Sequence, residues 1–150
     1  MVTKVLGTSG NDDISIPLLF PGDTGEFEVR GRKGDDRIVG SAQDDVLIGG
    51  KGDDTILGGF GDDTIVAGKH DDYVDGGAGA DTLIGGLGND TIDYGGVTFT
   101  AGTVTIDLAL GLTSVSGGNT ETISNFENVL GSQGGERING SSVANILNGN

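Results

Sequence analysis

Residues 31–93 read GRKGDDRIV (31–39), GSAQDDVLI (40–48), GGKGDDTIL (49–57), GGFGDDTIV (58–66), AGKHDDYVD (67–75), GGAGADTLI (76–84) and GGLGNDTID (85–93). The sixth place of this nine-residue sentence is always aspartate (Asp36, Asp45, Asp54, Asp63, Asp72, Asp81, Asp90). The eighth is always aliphatic (Ile38, Leu47, Ile56, Ile65, Val74, Leu83, Ile92). Two invariant columns over seven consecutive units make the repeat, not the single residue, the unit of reading.

In each unit the first six places are polar and Gly-rich and the last three favour β-structure, which predicts a six-residue turn followed by a three-residue strand. Two units then close a coil of 18 residues, and coils stack through parallel strands roughly 4.8 Å apart. Alternation along a strand points the eighth place inward and the seventh and ninth outward. The core is one aliphatic residue per unit, so a further staple is expected.

The aspartate column supplies a candidate. Stacking places carboxylates 18 residues apart face to face: Asp36 with Asp54, Asp45 with Asp63, Asp54 with Asp72, Asp63 with Asp81, Asp72 with Asp90. Two carboxylates at about 4 Å repel by ~1 kcal/mol in water and by more near a protein surface. A hard cation reverses the sign. Calcium takes six to eight oxygen ligands and tolerates irregular geometry, whereas magnesium demands an octahedron and soft metals want the N and S donors missing here. The predicted ligands are these seven carboxylates with turn carbonyls at Gly34, Gly50, Gly52, Gly59, Gly61, Gly68, Gly77, Gly79, Gly86 and Gly88. That gives about five calcium ions. Asp12 with Asp36 makes a sixth pair if residues 16–21 loop out.

Composition agrees with a cation as the counterpart. The 150 residues carry a formal charge of −15, with eight Lys plus Arg and 31 glycines. That balance argues against nucleic acid and anionic membrane surfaces, both of which need basic patches. No cysteine is present, which removes disulfides and thiolate metal sites. No stretch approaches the ~20 apolar residues of a membrane span, and the start lacks the apolar run of a signal peptide.

Outside the regular copies the frame weakens. Residues 7–15, GTSGNDDIS, fit it with Asp12 and Ile14; residues 16–21, IPLLFP, are an insertion between the only two prolines; and residues 22–30 put Phe27 in the aspartate place. Residues 1–30 therefore read as an outlying cap, 31–93 as the regular roll, and 94–150 as degenerate repeats with longer strands that continue it. In this last part Phe99 breaks the pattern, residues 97–115 alternate in β fashion with turn signals at Gly111, Gly117 and Gly118, and Glu127, Glu136 and Asn145 fall in the ligand place of units 122–130, 131–139 and 140–148. Gly149 and Asn150 open what reads as a further repeat, so the pattern is expected to continue in the parent protein.

GGKGDDTIL at 49–57 and GGFGDDTIV at 58–66 match GGxGxDxUx, and the chain thereby resembles the RTX (repeats-in-toxin, haemolysin-type) calcium-binding proteins. The resemblance implies an all-β, right-handed parallel β-roll with calcium in the turn stacks, in a bacterial protein secreted by a type I system to the extracellular medium. Gln43, His70, Ala67 and Ala80 depart from the motif, and weaker sites are expected there. The fifth-place acids (Asp35, Asp44, Asp53, Asp62, Asp71) are expected to face outward as solubilising or turn-stabilising groups.

No catalytic constellation is visible: His70 is the sole histidine, and neither G-x-S-x-G nor H-E-x-x-H occurs. The chain is read as a calcium-responsive structural or interaction module. The alternatives are a non-catalytic appendage of a secreted hydrolase or sugar-modifying enzyme, or a segment of a calcium-dependent adhesin. Stacked ninth-place aliphatics (Ile48, Val66, Ile84) make an outward apolar file that the insertion, the strands after Val97, a neighbouring domain or a second chain is expected to cover.

Overall fold

The computed structural model describes residues 2–19, 22, 24–95, 104–115, 120–131 and 137–148. The chain begins with β1 (Thr3–Leu6), β2 (Asp13–Ser15), one helical turn α1 (Ile16–Leu19), β3 (Phe27–Lys33) and β4 (Arg37–Val39). Strands β5 (Val46–Lys51), β6 (Thr55–Phe60), β7 (Thr64–Lys69), β8 (Tyr73–Ala78), β9 (Thr82–Leu87) and β10 (Thr91–Asp93) form the regular part. Then come β11 (Val104–Asp107), β12 (Leu112–Val115), β13 (Thr122–Ser124), β14 (Asn128–Leu130), β15 (Arg137–Asn139) and β16 (Ile146–Asn148).

Successive strands alternate between two sheets, except that β11, β12 and β13 all lie in the larger. One runs β1-β3-β5-β7-β9-β13-β12-β11-β15 and the other β16-β14-β10-β8-β6-β4-β2. In the regular part pairing is parallel with an 18-residue offset, so that Leu47 lies on Ile65 and Ile65 on Leu83, while Ile38 lies on Ile56 and Ile56 on Val74. The eighth places of both sheets meet between the layers, and those of the seven regular units are completely buried. This is a parallel β-roll.

The division into turn and strand differs from the sequence expectation. Strands β5 to β9 are six residues long and include the first three places of the following unit. The reason is that the second-place residue, in left-handed φ, stays in register with its counterpart one coil away: Arg32 pairs Gly50, Gly50 pairs Gly68, and Gly59 pairs Gly77. The true turn is only the fourth to sixth places.

Two further differences lie at the ends. Residues 3–6 already form a strand, with Val5 on Val29, although no turn glycine precedes them to signal it. Thr122–Ser124, expected in a turn, is a strand in parallel register with Thr82–Ile84, and only Asn125, Phe126 and Glu127 connect it to β14. Asn125 takes a φ of 56° to make that short link, and Phe126 is buried in the core. Beyond it β12 runs antiparallel to both β11 and β13, a hairpin laid into the larger sheet. Phe20, Phe99, Gly117, Gly118 and Glu136, to which the sequence assigns roles, lie outside the described residues.

Ile48, Val66 and Ile84 stand in register on the outer face of the larger sheet and are half-buried. Ile16 and Pro17 of the insertion lie elsewhere, lining a cavity of about 640 Å³ with Val39 and Phe60 of the smaller sheet.

Because eighth-place side chains supply nearly all of the core of the regular units, truncating one leaves a void with little else to fill it. Ile56→Ala is expected to cost about 2–5 kcal/mol, and Leu147→Ala, whose eighth-place side chain on β16 is exposed, under about 0.5 kcal/mol. Denaturant unfolding of the two variants in one buffer checks the contrast.

Candidate metal centre

The turns stack in two columns. One carries Asp12, Asp36, Asp54, Asp72 and Asp90 ahead of the strands of the smaller sheet, the other Asp45, Asp63 and Asp81 ahead of those of the larger. Within each column the sixth-place carboxylate reaches back one coil: the amide N–H groups of Asp12, Asp36, Asp54 and Asp72 donate to Oδ1 of Asp36, Asp54, Asp72 and Asp90 at 2.8, 2.8, 2.8 and 3.0 Å. In the other column Phe27, Asp45 and Asp63 donate likewise to Asp45, Asp63 and Asp81 at 2.9, 2.8 and 2.9 Å. The structure thus brings the predicted pairs together one above another.

The second carboxylate oxygen is the unusual one. Oδ2 of Asp36, Asp54, Asp63, Asp72, Asp81 and Asp90 is buried without a hydrogen-bond partner, on residues no more than 2% exposed. A buried acceptor left unpaired costs roughly 1–3 kcal/mol, more if charged. All six stand at the same place of the nonapeptide, so the unpaired oxygen belongs to the repeat and not to one turn.

The glycines crowd these oxygens. A Cβ on Gly49 would meet the Ala67 carbonyl oxygen at 2.6 Å and overlap Asp54 Oδ2; one on Gly76 would meet Asp81 Oδ2 at 2.7 Å. Of the ten glycines named above, all but Gly79 have positive φ. The carbonyls of Gly34, Gly50, Gly59, Gly61 and Gly68 press against Gly52, Gly68, Gly77, Gly79 and Gly86 of the next coil, and that of His70 against Gly88. Carbonyl oxygens and carboxylates therefore share the narrow space between turns. No three His, Cys, Asp or Glu side chains gather as a cluster among the described residues, so such a site would have to draw on these carbonyls.

A model of the RTX calcium-binding nonapeptide repeat family matches residues 30–65 and 66–96. Residues 30–96 are RTX calcium-binding repeats. No curated protein matches the chain. The RTX segment spans all seven regular units with their sixth-place aspartates and ends just past Asp90, where the aspartate column itself ends.

Electrostatics fit a cation. Burial, partly offset by the back-reaching amide, pushes Asp54, Asp81 and Asp90 up to about 6 and Asp63 and Asp72 up to about 7, and neighbouring carboxylates add to the rise. Asp36 is raised for the same reason. The fifth places form a second ladder of opposite sense on the exposed edge: the amides of Asp53, Asp71 and Asn89 donate to Oδ1 of Asp35, Asp53 and Asp71, and those of Asp62 and Ala80 to Asp44 and Asp62. His70, at φ 79°, accepts the Gly52 N–H on Nδ1 at 3.1 Å, a turn contact.

Two residues extend the columns beyond the RTX repeats. Glu127 takes the sixth place after Asp90 and accepts its N–H on Oε2 at 2.9 Å. Glu121, one residue before the Thr122–Thr82 pair, stands in the sixth place after Asp81 and was missed in the sequence. Its carboxyl turns aside to accept the Tyr94 hydroxyl at 2.5 Å, with Thr113 Oγ1 at 3.3 Å, and burial pushes it up to about 7. The available signal was E-T-I-S followed six residues later by E-N-V-L, two half-repeats closer than nine.

With unfolded carboxylates titrating near 3.8 and the buried ones raised toward 6 to 7, the metal-free fold binds more protons than the unfolded chain in that window. Its stability is then greatest on the acid side and is lost as pH rises through about 6 to 7. In chelator, the far-UV β signal is expected to grow as pH drops from about 7.5 to about 5; a flat or falling signal contradicts the burial of these carboxylates.

Proposed function

We propose that the chain is a calcium-driven folding module of a secreted bacterial protein, loosely structured where calcium is scarce and a rigid roll where it is plentiful. The observation that carries this is the set of six buried Oδ2 atoms without partners. In the absence of a cation each is an uncompensated buried acceptor, repelled by the carboxylates above and below it. Calcium between stacked turns would take Asp36, Asp54, Asp63, Asp72, Asp81 and Asp90, the carboxylates with an unpaired oxygen, and turn carbonyls including those of Gly50, Gly59 and Gly68. Each ion would also remove two units from a formal charge of −15.

Since the site is assembled only when coils stack, ion binding and folding are one equilibrium. Cytosolic calcium is low and extracellular calcium high, so the same chain crosses an export channel unfolded and folds outside. The RTX repeat is a structural calcium-binding element, and the reading assigns this segment no catalysis. A neighbouring domain of a hydrolase or adhesin, or a second chain, would dock on the Ile48, Val66, Ile84 file.

Far-UV circular dichroism of the full chain tests this. In chelator the β signal is expected to be incomplete and to rise cooperatively with added calcium, with Asp72→Asn shifting the midpoint to higher calcium by tenfold or more, the loss of one charged ligand contact of about 1.4 kcal/mol or above. A complete β signal in chelator that calcium does not change overturns the proposal.

A further inference from the structure

The sixth-place aspartates are not alike. Asp12 and Asp45 are missing from the set with an unpaired oxygen, because the N–H of the second-place residue in their own unit turns in to meet them: Thr8 N–H donates to Asp12 Oδ2 at 2.6 Å and Ser41 N–H to Asp45 Oδ2 at 2.7 Å. Asp45 Oδ1 is taken by the Phe27 N–H, so both of its oxygens are occupied. The same closure recurs at the other end of the roll, where Ser141 N–H donates to Asn145 Oδ1 at 2.7 Å.

What separates the two kinds of turn is the backbone at the second place. In the units of Asp36, Asp54, Asp63, Asp72, Asp81 and Asp90 that place is Arg32, Gly50, Gly59, Gly68, Gly77 or Gly86, and every one has φ between 91° and 132°. Thr8, Ser41 and Ser141 are not among the positive-φ residues. Among the described units with Asp or Asn in the sixth place, each with left-handed φ has the orphaned Oδ2, and each without it has a self-closed turn. A positive φ keeps the second place in the strand ladder and swings its N–H away from the carboxylate; an ordinary φ ends the strand early, as β4 does at Val39 and β15 at Asn139, and frees the N–H to cap the turn. A β-hydroxy residue disfavours the left-handed region that glycine enters freely.

We infer that the second-place conformation sorts the turns of this roll into calcium turns and self-capped turns, with Thr8 and Ser41 excluding Asp12 and Asp45 from calcium ligation. The inference rests on the calcium reading above and narrows it. Gaps between two open carboxylates are Asp36 with Asp54, Asp54 with Asp72, Asp72 with Asp90, and Asp63 with Asp81, about four ions per chain at one per gap. The self-capped turns of Asp12, Asp45 and Asn145 flank this block and hold their shape by internal hydrogen bonds, without metal.

The test is the number of calcium ions bound per full-length chain, by equilibrium dialysis with metal analysis, for wild type, Asp45→Asn, Asp54→Asn and the double variant Ser41→Gly/Gln43→Gly. Asp54→Asn is expected to lose at least one ion, Asp45→Asn to keep the wild-type number, and the double variant, which restores glycine at the second and fourth places, to gain one. Circular dichroism at saturating calcium confirms that each variant is folded; if Asp45→Asn is not, Ser41→Gly/Gln43→Gly alone decides. Loss of an ion in Asp45→Asn equal to that in Asp54→Asn, or no gain in the double variant, overturns the inference while leaving the calcium module standing. A wild-type chain that binds no calcium instead removes the module reading itself.

Discussion

A carboxylate held between two stacked turns, with one oxygen bonded to the coil before and the other bonded to nothing, is the constraint on which the rest of this structure turns. The bonded oxygen fixes the distance between coils. The free oxygen makes that distance costly without a positive charge nearby. Glycine is required alongside because no Cβ fits between the carboxylate and the next carbonyl at positions such as Gly49. The high negative charge, the glycine content and the slender core are thus consequences of one arrangement.

The repeat made most of this legible. Every eighth-place residue of the regular units is in the core, because strand alternation admits no other place for it, and the 18-residue stacking follows from the same periodicity. What stayed hidden was what depends on φ. The extension of β5 to β9 through Gly50, Gly59, Gly68, Gly77 and Gly86 is invisible in a residue alphabet that marks glycine as a turn signal. Arg32 adopts the same conformation without being glycine, at a cost of about 1–2 kcal/mol.

The degenerate end was harder for a different reason. Glu121 and Glu127 both occupy sixth places, yet a three-residue link replaces the full turn between their strands, so a frame of nine counts only one of them. Phe126, buried in that link, supplies by bulk some of what the missing turn would have packed. The hairpin of β11 and β12 likewise follows no repeat, and nothing in the nonapeptide predicts its antiparallel course.

The two ladders along the turns run in opposite senses. Sixth-place amides donate forward to the carboxylate of the following coil, while fifth-place amides donate backward to the preceding one. Each inner coil is consequently gripped from both sides by bonds of opposed polarity, and it cannot slip along the stack without breaking both sets at once. Under tension the roll would behave as a stiff rod that frays from its ends, shedding whole coils in sequence and resisting shear through its middle.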